Sequence, residues 1–120
     1  MSQQPNQQLE EHTLRFAQAV RDFGKVLPMT VANVEDLKQL IRSSGNVGAT
    51  CVQALTAPGR REYVQYLQTC FSETHATRYW LQLVDTQGAG ELELQRRRLI
   101  QAAQELAALF TRLLQTAPTR

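Results

Sequence analysis

The chain has 120 residues, a mass of 13.6 kDa and a formal charge of +2, from 13 Lys+Arg against 11 Asp+Glu; that length predicts a single domain. Leu, Ala and Gln supply 44 residues against ten Val+Ile, a composition of helices and not of sheets, and 42% hydrophobic with 20% charged residues excludes global disorder. No run approaches the roughly eighteen apolar residues of a membrane span, and the N-terminal dozen residues have neither the basic start nor the apolar run of a secretory signal, so no membrane partner and a cytoplasmic location are expected.

Residues 1–8 are polar and Gln-rich and read as a disordered tail ahead of one domain over 9–116. From Leu9, apolar residues recur at helical spacing through Phe16, Val20, Phe23 and Leu27, and Leu27-Pro28 ends a first helix of about 9–26. Asn33 is a good helix cap, with Glu35 and Asp36 behind it at the positive end of a second helix over 33–56. Its apolar stripe passes through Ser43–Thr50, a segment of small residues that includes Ser44, Gly45, Gly48 and Ala49. Each interior glycine costs a helix about 1 kcal/mol relative to alanine. Because the stripe keeps its phase, close approach of a neighbouring helix accounts for these residues better than a helix break does.

Proline at residue 58 suits the first turn of a third helix, 58–86. That helix carries Tyr63, Tyr66/Leu67, Cys70, Thr74, Thr77, Leu81 and Val84 on one face and a second strip of Val64, Phe71, Tyr79 and Leu83. A glycine-rich turn, Gln87–Gly90, leads into a fourth helix over 90–115 with Leu92, Leu99, Ala102/Ala103, Leu106, Phe110 and Leu113 on its apolar side. Four helices with short connections predict an all-α, antiparallel up-down-up-down bundle.

Signs of chemistry are few. His12 and His75 lack the Glu-x-x-His spacing of a di-iron bundle, and no close Cys/His pair suits zinc. There is no phosphate-binding glycine loop and no nucleophile elbow. Acidic pairs sit at helix starts, where the helix dipole explains them. Cys51 and Cys70 read as buried thiols in a reducing compartment. The expectation is a protein that is not an enzyme and takes no metal and no cofactor.

Arginine supplies eleven of the 13 cations, with two clusters at Arg60-Arg61 and Arg96-Arg97-Arg98. They have two readings: solvated partners of carboxylates such as Glu93 and Glu105, or ligands for nucleic-acid phosphates. A charge of +2 is small for the second role in a monomer, but a ring of subunits repeats the clusters into a positive belt. The third helix has more apolar surface than one face can bury. Phe71, Tyr79, Trp80 and Leu83 are therefore candidates for a subunit interface, the other reading being a widened core stripe.

Three stretches resemble a known family: Gln39–Ala49 (QLIRSSGNVGA), Arg60–Leu67 (RREYVQYL) and Thr77–Leu83 (TRYWLQL). In this order and spacing they are similar to the bacterial four-helix bundle protein family, which includes proteins encoded in ribosomal-RNA intervening sequences. The accessory variability determinant of diversity-generating retroelements is related to it. The resemblance implies a four-helix bundle assembled as a ring, a homopentamer, with a basic surface proposed to contact RNA or DNA in some members. This chain departs from the family pattern at Thr50, Gln53 and Ala76, where Asn, Glu and Glu are usual. The overall expectation is a homo-oligomeric, nucleic-acid-binding bundle, with an adaptor that grips a protein partner in inter-helix grooves as the alternative.

Overall fold

A computed structural model describes residues 5–118, which form α1 (Pro5–Val26), α2 (Val31–Leu55), α3 (Arg60–Leu83) and α4 (Gly90–Gln115). The turns between them are short enough that each helix runs antiparallel to the one before. Each packs on its neighbours in the chain and α4 returns to α1, while the diagonal pairs stand apart. The result is a four-helix bundle measuring 49 × 32 × 18 Å. Contact is most extensive between α2 and α3 and slightest between α1 and α4.

The helix ends show where local chemistry overrides apolar periodicity. Pro5 occupies the first helical position, where its missing N–H costs nothing, and the glutamines after it are good helix formers. The first helix therefore begins before Leu9 and takes in residues 5–8 of the expected tail; residues 1–4 of that tail lie outside the described residues. The second helix is capped by Thr30 and not by Asn33: the Thr30 hydroxyl accepts the Asn33 N–H at 3.1 Å. Gly59 is the cap of α3, which leaves Pro58 outside the helix. At its far end α3 stops at Leu83, because Val84 turns to extended backbone (ψ 146°) and buries its side chain, as Thr86 does two residues on. Gln87 and Gly88 follow with φ of 56° and 74°, a left-handed pair stabilised by the Gln87 N–H donating to Asp85 Oδ1 at 2.8 Å.

The core is the set of apolar stripes brought face to face. Leu9, Phe16, Val20, Phe23 and Leu27 of the first helical segment meet Leu40, Val47, Cys51, Leu67, Leu81, Leu99, Leu106 and Phe110, all buried. Each large side chain of this set contributes about 1.5–3 kcal/mol by leaving water. The α2–α3 seam carries polar groups as well: the Thr77 hydroxyl donates to Ser43 Oγ at 2.9 Å, and Ser43 donates to the Leu40 carbonyl at 3.3 Å. Such pairs are tolerated inside because each is satisfied.

One end of the bundle is fastened by Asn33. Its amide donates to the carbonyls of Pro28 and Asp85, each at 2.8 Å, and its carbonyl accepts the Asp85 N–H at 2.9 Å. A single side chain, 1% exposed, thus ties the α1–α2 turn to the α3–α4 turn.

Candidate nucleic-acid and subunit interfaces

The two arginine clusters lie apart. Arg60 and Arg61 stand exposed at the start of α3, where the Arg60 guanidinium donates to the Pro118 carbonyl after α4. The other cluster stands two turns into α4. Along the axis the two are separated by about 30 Å, the rise of some twenty helical residues.

Within the second cluster the three residues have different surroundings. Arg96 is turned inward, its side chain only 19% exposed; it donates to Glu93 Oε1 and to the Val84 carbonyl that ends α3. Glu93 also accepts from the Thr86 hydroxyl. The Arg96 bond first, and the Thr86 bond second, hold the Glu93 carboxyl below its ordinary value of 4.5. Arg96 is therefore engaged in closing the α3–α4 turn. Arg97 and Arg98 are exposed, 100° apart around the helix. Arg98 borders a groove of about 290 Å³ between α1 and α4, with Asp22 on the same rim and Phe23, Val26 and Leu99 beneath. Gln95 Oε1 in this groove is buried without a hydrogen-bond partner.

The apolar candidates on α3 also divide. Phe71 and Trp80 are nine residues apart, which places them on opposite flanks of the helix, and both pack partly against the core. The Phe71 ring meets His75 edge-on at 4.5 Å. Tyr79 and Leu83, 57% and 49% exposed, form an outer ridge, and Trp80 braces Tyr79 edge-on at 5.2 Å. Of the small residues, Ser44 is buried and bonds back to the Ile41 carbonyl at 3.2 Å. Gly48 lies against α1: a Cβ there would stand 3.2 Å from Thr13 Oγ1. Gly45 has nothing within 4 Å of such a Cβ, and Ala49 is exposed beside it. Close packing inside the chain thus explains Gly48 and does not explain Gly45.

Exposed apolar residues gather at one end. Of nine large hydrophobic residues exposed among the described residues, seven stand near the end where α1 and α3 finish and α2 and α4 begin; Met29, Val31 and Leu94 extend the set beyond α3. Sequence periodicity misses Met29 and Val31 because they belong to a turn and a first helical position, outside any stripe.

Cys51 and Cys70 are free and fully buried across the α2–α3 seam. The proximity of the two thiols lowers Cys51 and raises Cys70, with burial adding to the rise at Cys70. Cys70 Sγ also approaches the Val47 carbonyl at 3.7 Å. Among the described residues, no group of three or more His, Cys, Asp or Glu could hold a metal ion, and no helix is long and apolar enough to cross a membrane. Thr50 is buried, Gln53 exposed and Ala76 half-buried, so the three positions that depart from the family pattern share no one environment.

These features define an all-α four-helix bundle. No family model matches the chain, and no curated protein matches it. Among solved structures it is similar to the crystal structure of a protein of unknown function from the S23 ribosomal protein family of Bacteroides thetaiotaomicron. The TM-score is 0.79 over 92% of this chain and 98% of that one, at 23% identity, a likeness of fold.

Proposed function

We propose that the protein is a non-enzymatic, homo-oligomeric member of the bacterial four-helix bundle family, assembled as a ring of five, that binds nucleic acid in the cytoplasm. The observation that carries this reading is the exposed apolar surface of so small a bundle: residues such as Val31 (85% exposed), Met29 (59%) and Tyr79 (57%) reward burial between copies. Arg61, Arg97 and Arg98 form no ion pair among the described residues, and Arg60 holds only a backbone carbonyl. Repeated by assembly, each of the two clusters supplies a positive belt that +2 per chain lacks. The three sequence stretches and the shared fold support the family reading, and the family named for the structural relative is ribosomal, a setting of RNA. Buried free thiols suit a reducing compartment.

The test has two arms. Light scattering should give five times 13.6 kDa; a monomer mass refutes the ring. Anisotropy with labelled RNA and DNA should show binding that weakens steeply with salt and is lost on changing Arg60, Arg61, Arg97 and Arg98 to Ala. No binding by the wild type at low salt refutes the nucleic-acid role. A second reading, an adaptor that grips a protein partner, is favoured by the α1–α4 groove with its apolar floor and the unpartnered Gln95 carbonyl. A protein bound there is released by Val26→Glu, whereas RNA binding is indifferent to that change.

A further inference from the structure

The outer face of α1 and α2 holds an open groove of about 430 Å³. Leu14 and Ala17 form one wall, Gly45, Ala49 and Val52 the other, and Glu10 and Arg21 stand towards its two ends. Leu14 is 57% and Val52 43% exposed. Gly45 is the informative residue. An interior glycine costs the helix about 0.5–1 kcal/mol relative to alanine, and here no group of the same chain occupies the space it leaves. A floor that low serves a body that approaches from outside.

The molecule carries a surface of matching form on α3. Tyr79 and Leu83, one turn apart, make a ridge that Trp80 braces from the side. The charges match in order. Along α1 the groove runs Glu10, Leu14, Ala17, Arg21; on α3 Arg78 flanks the ridge of Tyr79 and Leu83, and Asp85 stands exposed in the turn just beyond it. None of these four charges has an ion pair among the described residues. Laid parallel, the two segments set apolar on apolar and acid against base at both ends. Glu10 to Arg21 spans about 16 Å and Arg78 to Leu83 about 8 Å at helical rise; the extended backbone at Val84 carries Asp85 up to about 7 Å further, and the long arginine side chains reach across what difference is left.

We infer that the Tyr79–Leu83 ridge of one copy docks into the α1–α2 groove of a second copy. This rests on the self-association proposed above and supplies its geometry. Ridge and groove are different surfaces, so the contact is head-to-tail. Each copy keeps one free ridge and one free groove until the ring closes.

Two substitutions test the pairing. Gly45→Phe fills the groove at a position with open space around it, and Tyr79→Asp puts a charge on the exposed ridge. Circular dichroism and thermal melting establish that both fold; Leu14→Lys and Leu83→Lys replace either one that does not. At a concentration where the wild type is assembled, each variant alone should have the mass of one chain. Mixed in equal amounts, the two should form a 1:1 dimer and nothing larger, because one intact ridge then meets one intact groove. If both variants stay fully assembled, the docking is overturned and self-association stands. If only one dissociates, or the mixture stays monomeric, the pairing is overturned. A monomeric wild type overturns both.

Discussion

Asn33 satisfies three backbone groups of two different turns with one short side chain. Its amide donates twice while its carbonyl accepts once. Asn33→Ala strands these groups near the end of the core and should cost about 2–4 kcal/mol in urea unfolding: a fully buried polar group left unpaired costs about 1–3, and these three bonds are only part-buried, so water reaches some of the stranded groups. Asn33→Asp is the sharper probe. It keeps the acceptor for the Asp85 N–H but sets a carboxylate oxygen against two carbonyls, so at pH 7 it should destabilise at least as much as alanine. Glu93 makes a second residue-scale case. Its carboxyl is held below 4.5 by Arg96 and Thr86, so it contributes stability that is complete above the ordinary glutamate range and lost as pH falls through the lowered folded value. Melting temperature followed from pH 7 to 3 should therefore fall further in the wild type than in Glu93→Gln. Equal slopes would remove Glu93 from the turn's stability.

At the scale of the element, α2 contains two glycines with opposite surroundings. Gly45→Ala gains helix propensity in open space and should stabilise the dissociated chain by about 0.5–1 kcal/mol. Gly48→Ala gains the same propensity but presses a Cβ to 3.2 Å from Thr13 Oγ1, so its gain should be smaller or reversed. Chemical denaturation of both, at a concentration where the chain is monomeric, measures the difference. Apolar spacing alone identified most of the core of these helices: Leu9, Phe16, Val20, Phe23 and Leu27 are buried, as are Leu92, Leu99, Leu106 and Phe110. Periodicity succeeds there because a helix in a bundle has one face to bury. It failed at Asn33, read as a cap, because the role of that residue depends on Asp85, 52 positions away. It failed at Arg96 for the same kind of reason: in sequence three arginines stand together, whereas the fold turns one inward to the Val84 carbonyl. Equivalent residue types do separate work once the helix sets their directions. The apolar strip of α3 divided likewise, into Phe71 and Trp80 packed on opposite flanks and a bare ridge at Tyr79 and Leu83.

For the whole molecule, charge and assembly become a single question. One chain of charge +2 carries its exposed arginine clusters about 30 Å apart along the bundle axis, so a single copy offers a nucleic acid only two weak, separate footholds. Arg97 and Arg98 moreover look to different sides of α4, and Arg98 shares its groove rim with Asp22. The assembly proposed above would change this arithmetic without changing the chain. A strand that touches the same cluster on successive copies releases counterions at each contact, and the slope of log affinity against log salt grows by about 0.7–0.9 per phosphate engaged. Gly45→Phe alters no charge and fills the surface assigned to docking. It should therefore lower RNA affinity by more than tenfold at 0.1 M salt and flatten the salt slope, although every arginine remains in place. Titration of labelled RNA at several salt concentrations, with mass measured in the same buffers, reads both quantities. A monomeric Gly45→Phe protein that binds as tightly as the wild type, with the same slope, would place recognition on the single chain and remove assembly from the mechanism.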